Sequence, residues 1–422
     1  MKICVVGLGY IGLPTAAMFA KSGHDVFGVD LVKSVVDTLN AGNIHIEEPG
    51  LAEVIREQVK KGAFRAGTSP EDDPQGFDVF IIAVPTPNLE DEYLSCDISY
   101  VMSACESILP HVRKGSVVIV ESTVAPRTMD DFVRPLFEKA GFVIGQDIYL
   151  AHCPERVLPG QILRELVENN RIIGGITPAC AGKAAQVYAA FVKGKLLKTE
   201  AKTAEMAKCM ENTFRDVNIA LANELAKVCY ELDINCLDVI GLANEHPRVN
   251  IHSPGPGVGG HCLAVDPYFI SAKAPETARI IRLARDTNCS MPAFVVDKTK
   301  KLLEGIANPK IAAFGVTYKG NVDDRRESPA LEIIEMLQEL GYNVAVFDPH
   351  VADESYVTLD EACEDADLIL ILTDHNEYKT LDYDAVAMKM RTPQLFDTKS
   401  IIDYPAQTMR ILNYGNLYEM KM

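Results

Sequence analysis

The sequence of 422 residues lacks the features that mark several large classes of protein. None of its eleven cysteines forms a C-x-x-C pair and their number is odd, which argues against zinc knuckles and against a disulfide framework. We therefore expect no bound metal and mostly buried thiols. No apolar run approaches the ~18–20 residues of a membrane helix, and no signal-peptide pattern follows Met1. We expect a cytoplasmic protein with no membrane partner.

The sequence also has too little basic charge for a nucleic-acid partner. Its 41 Lys and Arg residues face 59 Asp and Glu residues, a formal charge of −18, and nucleic-acid binding needs a basic face. An anionic substrate would have to be held by local Arg and Lys side chains. The apolar fraction of 48% is too high for a disordered chain, and the length predicts two or three domains.

The first part of the chain alternates strand-like and helix-like segments. A helix is predicted over 13–22, and the strands are buried apolar runs, which indicate a parallel sheet covered on both faces. The predicted strands are residues 2–6, 25–30, 77–87, 116–123 and 147–155.

The middle and the end of the chain predict two further regions. Residues 199–242 contain almost no Gly or Pro and read as one long helix or two successive ones. A Gly- and Pro-rich loop follows over 246–268, and helical patterns resume over 276–306. Strand-like runs at 310–316, 343–349 and 367–374 then echo the first strands.

We therefore predict an α/β protein with two Rossmann-like, doubly wound parallel-sheet domains joined by a central helical region. The predicted boundaries are 1–198 for the first domain, 199–300 for the helical region and 301–422 for the second domain.

A Gly-rich turn after the first strand predicts a dinucleotide site. Gly7, Gly9 and Gly12 form the GxGxxG pattern between a strand and a helix, where backbone can approach a pyrophosphate at the helix N-terminus. Asp30 ends the second strand, 18 residues after Gly12, near the ~20 expected for the acid that binds the ribose hydroxyls. Its charge would repel a 2′-phosphate, so NAD is favoured over NADP.

Two threonines follow later strands at the edge of the sheet where ligands bind. Thr86 lies in VPTP and Thr123 in ESTV, and both are candidate cofactor contacts. Taken singly, each is more typical of a turn or a helix cap than of a cofactor contact.

A helix face and a strand end supply two groups of candidate reactive side chains. Lys208, Asn212 and Arg215 share one face of the predicted long helix, although an isolated triplet of this kind is usually a solvated face. Glu155 and Arg156 follow a strand end, where the alternative is a surface ion pair.

Cys262 is the third candidate. It follows three loop residues, Gly259, Gly260 and His261, and precedes Asp266. A cysteine in such a loop can lie beside a ligand, and the alternative is an inert buried thiol.

Together these residues suggest the oxidation of an alcohol to an acid. Lys208 in its neutral form, or a water held by Lys208 and Asp266, could take the hydroxyl proton. Asn212 could hold the developing oxyanion. A Cys262 thiolate could attack the aldehyde and form a thioester after a second hydride transfer. Glu155 could then activate the water that hydrolyses it, so that two NAD are reduced in each turnover.

Motifs along the whole chain resemble the UDP-glucose/GDP-mannose dehydrogenase family of nucleotide-sugar 6-dehydrogenases. They occur in the family's order and number eight: GLGYIGLP (7–14), VPTP (84–87), EST (121–123), PER (154–156), AEMAKCMEN (204–212), NE (223–224), PGPGVGGHC (254–262) and YKGNVDDRRESP (318–329).

The resemblance implies an NAD-binding Rossmann domain, a central dimerisation region and a C-terminal domain that closes over a UDP-sugar. It also implies that Cys262 is the nucleophile and that Glu155 assists hydrolysis of the thioester. Lys208, Asn212 and Asp266 would serve the alcohol oxidation and the oxyanion. Tyr10, Ile11 and Arg326 join the expected NAD contacts, and Lys319 pairs with Arg326 as the basic residues of the interdomain cleft. Which acid of the Asp323–Asp324 pair matters is open.

Three segments, CPERVLPG (153–160), ENTFRDVNIA (211–220) and HPRVNI (246–251), carry a narrower match to members that oxidise UDP-N-acetyl-D-mannosamine. UDP-N-acetylglucosamine is the alternative substrate. We expect a homodimer or a higher homo-oligomer, in which His246 and Arg248 could reach a partner's site. The expected substrate contacts are Arg156, Val157, Lys208, Asn212, Arg215, His246, Arg248, Gly259 and Lys319.

Two competing functions share parts of this pattern. A two-electron hydroxyacid-type dehydrogenase would use the Gly-rich turn and the Lys208–Asn212 pair, but it would have no use for Cys262. A non-catalytic NAD-binding scaffold would need the Gly-rich turn but neither Lys208 nor Cys262. The yield of NADH distinguishes the three functions. The four-electron reaction gives about two NADH per substrate, the two-electron reaction gives one, and the scaffold shows no turnover.

Overall fold

The computed structural model describes residues 1–73, 76–405 and 407–421. Contacts divide the chain into two compact units. Unit 1 comprises residues 1–211 with 268–275, and unit 2 comprises residues 212–267 with 276–422.

Unit 1 is built on an eight-stranded sheet of order β3-β2-β1-β4-β5-β6-β7-β8. The first six strands in this order are parallel, as predicted, whereas β7 runs antiparallel to β6. The strands are β1 (Lys2–Val6), β2 (Asp25–Val29), β3 (Phe64–Gly67), β4 (Val79–Ile82), β5 (Val117–Val120), β6 (Tyr149–His152), β7 (Arg171–Gly175) and β8 (Leu196–Glu200).

Helices cover both faces of this sheet. Along β1, Ile3 and Val5 belong to one buried apolar cluster, and Cys4 and Val6 belong to another, because successive side chains of a strand point to opposite faces. The helices are α1 (Gly12–Lys21), α2 (Lys33–Asn40), α3 (Leu51–Lys60), α4 (Ser99–Ile108), α5 (Arg134–Lys139), α6 (Ile162–Glu168) and α7 (Pro178–Tyr188), with a π-helical turn at Met129–Val133 and 3₁₀ turns at Pro70–Asp72 and Leu109–His111.

Two successive helices occupy the segment for which one or two were predicted. They are α8 (Ala201–Leu232), which continues from unit 1 into unit 2, and α9 (Cys236–Asn244). The Gly- and Pro-rich loop follows. The next helices are α10 (Asp266–Lys273), α11 (Arg279–Cys289) and α12 (Met291–Leu302).

Unit 2 contains the second Rossmann-like sheet, with five parallel strands in the order β10-β9-β11-β12-β13. This confirms the predicted fold class. The strands are β9 (Lys310–Phe314), β10 (Asn343–Phe347), β11 (Leu368–Ile371), β12 (Gln394–Asp397) and β13 (Arg410–Asn413), and the helices are α13 (Pro329–Glu339), α14 (Leu359–Cys363) and α15 (Tyr383–Ala387), with 3₁₀ turns at Asn376–Thr380 and Leu417–Lys421.

The two sheets repeat one turn in detail. After β1, Gly7 has φ +89° and the N–H of the next residue donates to the carboxylate of Asp30, 3.1 Å away. After β9, Gly315 has φ +90° and the N–H of the next residue donates to Asp348 at 2.8 Å. The echo between the two halves of the sequence therefore extends from strand order to individual hydrogen bonds.

The predicted strand over 77–87 was too long, since β4 ends at Ile82. Its apolar continuation leaves the ladder and forms the loop that carries Thr86. Within the described residues, no helix combines the length and apolar character needed to cross a membrane.

Candidate active site

The Gly-rich turn of unit 1 has the shape that a pyrophosphate requires. A Cβ on Gly7 would lie 2.5 Å from the Ala83 carbonyl oxygen, and one on Gly12 would collide with the Gly7 carbonyl oxygen. Gly9 faces open space instead. Side chains are thus excluded where backbone packs, and a ligand can approach the N-terminus of α1.

The carboxylate of Asp30 is held at the end of β2. It accepts the N–H of Leu8 at 3.1 Å and the N–H of Val32 at 3.0 Å. These bonds fix the group that would meet the ribose hydroxyls of NAD. Tyr10 is exposed in the same turn, and Ile11 lies directly before α1.

Thr86 and Thr123 lie next to each other, although 37 residues separate them in the chain. The Thr86 hydroxyl donates to the Thr123 carbonyl oxygen at 2.7 Å. The loops after β4 and β5 are therefore tied together at the carboxyl edge of the sheet, where both residues were predicted to lie.

Glu155 follows β6 at the same edge and is paired with a residue that the sequence analysis missed. Its Oε2 accepts from Arg171 at 2.5 Å, and a second Arg171 nitrogen binds Glu121. Both carboxylates and the guanidinium are buried. The alternative interpretation, a surface ion pair of Glu155 with Arg156, does not hold, because the Glu155 side chain faces inward and pairs with Arg171, while Arg156 pairs with Glu211. The available signal was Arg171 itself, a charge at the start of the buried run RIIGG.

Arg156 turns to other partners. It lies 2.8 Å from Glu211 and also donates to the Asn170 carbonyl oxygen. Val157 packs against the buried cluster of unit 1. These two predicted substrate contacts therefore lie beside the inward-facing Glu155.

Lys208 is buried on α8, not part of a solvated face. Its charge acts on His152, at the end of β6. The pKa of His152 is lowered to about 3, chiefly by burial and in smaller part by the nearby Lys208 ammonium, against the opposing effect of a backbone hydrogen bond. Lys208 therefore belongs to the same edge of unit 1 as the segment that leads to Glu155.

In unit 2, Cys262 is exposed, which excludes an inert buried thiol. Its carbonyl oxygen accepts the N–H of Asp266 at 2.9 Å. Asp266 opens α10, is buried and accepts a 2.6 Å hydrogen bond from the Asn212 amide. Three predicted catalytic residues, Asn212, Cys262 and Asp266, are thus connected within unit 2.

The cysteine loop packs closely against residues 318–329. A Cβ on Gly259 would collide with the Glu327 carbonyl oxygen, and one on Gly260 would lie 2.8 Å from the Tyr318 ring. Gly260 also has φ +79° and donates to the Arg326 carbonyl oxygen at 3.1 Å. Burial raises the pKa of Tyr318, and Asp324 and Cys262 add to the rise.

The structure distinguishes the two acids of the Asp323–Asp324 pair. Arg326 donates to both oxygens of Asp324, at 2.9 and 2.6 Å. These bonds lower the pKa of Asp324 against the opposing effect of burial. Asp324 therefore orients Arg326, while Lys319 is exposed on the same loop.

Arg215, His246 and Arg248 are exposed in unit 2. Two helices hold the C-terminal end of the loop that carries the last two. Asn218 of α8 donates to the Asn250 carbonyl oxygen at 2.9 Å, and Asn244 of α9 donates to that of Ile251 at 3.0 Å.

One further group in unit 2 has the composition of a metal site. His350, His375 and Glu377 could offer ligand atoms within 4.8 Å of one another. However, His375 Nδ1 accepts the N–H of Asn321 at 2.9 Å, and Nε2 lies 3.1 Å from Asp348. Both ring nitrogens of His375 are engaged, so the group is a hydrogen-bonded support for the loop of Asn321.

Three models of the UDP-glucose/GDP-mannose dehydrogenase family match the chain. The NAD binding domain matches residues 1–192, the central domain residues 202–290 and the UDP binding domain residues 312–404.

Individual proteins agree with the family models. A UDP-N-acetyl-mannosamine dehydrogenase structure from S. aureus is 57% identical, with a TM-score of 0.93 and full coverage of both chains. A UDP-N-acetyl-D-mannosamine dehydrogenase from Methanococcus maripaludis is 49% identical over 96% of this chain and 93% of its own length. An NDP-N-acetyl-D-galactosaminuronic acid dehydrogenase from Ralstonia nicotianae is 45% identical over 94% of this chain and 96% of its own length.

These matches extend over both units and agree with the NAD turn, the cysteine loop and the second Rossmann-like sheet. The chain belongs to the UDP-glucose/GDP-mannose dehydrogenase family and is an NAD-dependent nucleotide-sugar dehydrogenase.

Proposed function

We propose that the protein oxidises UDP-N-acetyl-D-mannosamine at C6 to UDP-N-acetyl-D-mannosaminuronate, a four-electron reaction. The observation that carries the proposal is the chain of contacts from exposed Cys262 to Asp266 and on to Asn212. A nucleophile next to an oriented amide suits an acyl-enzyme step, whereas a two-electron alcohol dehydrogenase needs no thiol.

The first oxidation converts the C6 alcohol to an aldehyde. NAD, when bound, accepts the hydride of each of the two oxidation steps. Lys208, or a water that it holds with Asp266, takes the hydroxyl proton. One amide hydrogen of Asn212 binds Asp266, so the amide is oriented and its second hydrogen can stabilise the oxygen that carries negative charge.

The second oxidation proceeds on Cys262. The thiolate adds to the aldehyde carbon and gives a thiohemiacetal, which loses its hydride and becomes a thioester. Glu155 takes a proton from the water that attacks this thioester, the C–S bond breaks, and the carboxylate and the Cys262 thiolate are released. The balance is two NAD reduced per sugar.

Both units contain residues that we propose as contacts to NAD and to the UDP-sugar. For NAD we propose contacts from the turn after β1, the end of β2, the loops after β4 and β5, and the basic loop of unit 2: Gly7, Gly9, Tyr10, Ile11, Gly12, Asp30, Thr86, Thr123 and Arg326. For the UDP-sugar we propose basic, small and helix-borne contacts: Arg156, Val157, Lys208, Asn212, Arg215, His246, Arg248, Gly259 and Lys319. The functional regions would be 1–198, 199–300 and 301–422.

The N-acetylmannosamine epimer is supported by relatives of that name at 57% and 49% identity. A relative named for an N-acetylgalactosaminuronic acid stands at 45%, so the sugar must be tested directly. UDP-N-acetylglucosamine is the alternative that the same chemistry would serve.

We further propose a homodimer or a higher homo-oligomer. The unit 2 part of α8 presents exposed apolar side chains at helical spacing, with 61% of Phe214, 54% of Leu221, 43% of Val228 and 62% of Leu232 accessible. Such a stripe is typical of an interface between helices.

Product analysis tests the proposal. The enzyme is incubated with NAD and either UDP-N-acetyl-D-mannosamine or UDP-N-acetylglucosamine, and the products are identified by mass spectrometry. Uronate from the manno sugar supports both the reaction and the substrate. Uronate from the gluco sugar alone would change the assigned substrate to UDP-N-acetylglucosamine. An aldehyde as the final product would overturn the acyl-enzyme step.

A further inference from the structure

The buried carboxylate of Glu121 is not used by the proposed reaction. Glu121 directly follows β5 and is enclosed by three elements of unit 1. Its Oε1 accepts from Arg171 on β7 and from the Tyr188 hydroxyl on α7, the latter at 2.6 Å. Its Oε2 accepts from Thr15 on α1 at 3.2 Å. Both oxygens of the side chain thus have donors although the side chain is closed to solvent.

Arg171 connects this carboxylate to Glu155. One guanidinium nitrogen binds Glu121, and the other lies 2.5 Å from Glu155 Oε2. The guanidinium also stacks on the Tyr188 ring, 3.9 Å from its centroid. The other oxygen of Glu155 accepts the N–H of Arg156 at 2.8 Å. One buried cation is therefore shared by two carboxylates.

We propose that Glu121 is a positioning residue for the hydrolysis of the thioester: by sharing the charge of Arg171, it leaves Glu155 basic enough to activate the hydrolytic water. This inference rests on the proposed role of Glu155. A guanidinium that faced Glu155 alone would stabilise its ionised form and weaken it as a base. A second anion on the opposite side of the guanidinium offsets that effect.

The groups around Glu121 make it the site that takes up a proton. The pKa of Glu121 is raised to about 7. Burial is the main cause and the charge of Glu155 adds to the rise, whereas Arg171, Tyr188 and Thr15 oppose it. Cys153, on the segment after β6, also faces this cluster, and burial raises the pKa of its thiol. Burial likewise raises the pKa of Tyr188 well above its usual range. Both therefore stay neutral near pH 7.

The basicity of Glu155 should increase with pH. As the pH falls through the raised pKa of Glu121, this carboxylate takes up a proton, the Arg171 charge acts on Glu155 alone, and we expect Glu155 to be the weaker base. As the pH rises, Glu121 ionises and we expect Glu155 to be the stronger base. Hydrolysis of the thioester should therefore accelerate as pH rises through about 7.

The test follows acyl-enzyme decay in single turnovers with excess enzyme and NAD, using UDP-N-acetyl-D-mannosamine, between pH 6 and pH 8. Rapid quenching and intact-protein mass spectrometry measure the Cys262 adduct. In Glu121→Gln, which keeps the shape of the side chain, we expect a decay rate that is flat with pH and about tenfold below wild type at pH 8. A slower rate with the wild-type inflection intact would overturn the inference, since that is the result of a purely structural role.

A second variant covers the case in which Glu121→Gln does not fold. Tyr188→Phe removes a donor that stabilises ionised Glu121 but keeps the ring against Arg171. The inflection in the dependence of the decay rate on pH should therefore move to higher pH. Tyr149→Phe on β6 is the matched control and should leave it in place. An inflection unmoved by Tyr188→Phe contradicts the inference.

Failure of the proposed function gives a different result. If wild-type enzyme forms no Cys262 adduct and releases no acid, the acyl-enzyme reaction itself is wrong, and the role of Glu121 falls with it. If acid is released and the inflection behaves identically in wild type and variants, only the role of Glu121 is wrong.

Discussion

The side-chain amide of Asn212 donates a 2.6 Å hydrogen bond to the buried carboxylate of Asp266. This bond joins α8 to the first residue of α10. A second group of the same residue, the Asp266 N–H, binds the carbonyl oxygen of Cys262 and holds the backbone of the reactive loop. The orientation of the Asn212 amide and the backbone position of the nucleophile are therefore both tied to Asp266, the first through its carboxylate and the second through its N–H.

Exchange of the two groups tests this relationship. Asn212→Asp places two carboxylates in contact, which are not both readily ionised, so we expect a lower Tm at pH 7 and a kcat reduced at least ~100-fold, the order of one lost oxyanion donor. The double variant Asn212→Asp/Asp266→Asn restores an amide–carboxylate bond with its direction reversed. Its Tm should recover in part while kcat stays low. Thermal unfolding and steady-state kinetics give the two readouts, and a double variant as unstable as Asn212→Asp would contradict the assigned bond.

Replacement of the nucleophile should stop acid formation. Cys262→Ser leaves the loop sterically unchanged but removes the thiolate that forms the thioester. Cys289→Ser is the matched control, because Cys289 is the other exposed cysteine of unit 2 and has no proposed role. Mass spectrometry should find uronate with the control only. Nearly wild-type acid production by Cys262→Ser would refute the covalent step.

Cofactor selectivity should depend on Asp30. Asp30→Ser removes the carboxylate that is held by the N–H groups of Leu8 and Val32. We expect the KM for NAD to rise about tenfold and the preference for NAD over NADP to shrink, since the repulsion of a 2′-phosphate is lost. Asp37→Ser, an exposed aspartate on α2, serves as control. Unchanged kcat/KM ratios for the two cofactors in Asp30→Ser would remove the residue from the site.

Arg248 should act in substrate binding. Arg248→Ala is expected to raise the KM for the UDP-sugar far more than it lowers kcat, the pattern of a lost binding contact. Arg279→Ala, at the start of α11, removes a comparably exposed charge and should leave both constants near wild type. If KM for the UDP-sugar is the same in Arg248→Ala and the control, Arg248 does not contact the substrate.

The apolar stripe on α8 should control assembly. Leu221→Glu places a charge in the exposed stripe and should shift the molar mass from a multiple of the 46.3 kDa chain towards the monomer. Leu340→Glu is a close control, because 53% of Leu340 is accessible compared with 54% of Leu221, yet it lies outside the stripe. Light scattering measures both. Equal masses for the two variants would place the interface elsewhere.

Local patterns were sufficient to predict much of the fold. Strand β1 coincides with the predicted run 2–6, and β2 ends one residue before Asp30, because apolar runs that end in turn residues determine such elements locally. The nearness of Cys262 to Asp266 also follows from adjacent sequence, whereas the exposure of Cys262 is established by the structure, since the sequence left an inert buried thiol as the alternative.

Contacts between distant residues could not be predicted in this way. Arg171 meets Glu155 across 16 residues and Glu121 across 50, and no spacing rule connects these positions. The antiparallel pairing of β6 with β7 depends on the path of the chain between them. The choice of Asp324 over Asp323 depends on the conformation of a loop, which brings the Arg326 guanidinium to one carboxylate.

The most direct test of the proposed four-electron reaction is the amount of NADH formed per UDP-N-acetyl-D-mannosamine consumed, followed by absorbance at limiting sugar. A thioester on Cys262 that Glu155 helps to hydrolyse predicts two NADH per sugar. One NADH per sugar, with aldehyde as the final product, would contradict the reaction proposed for this site.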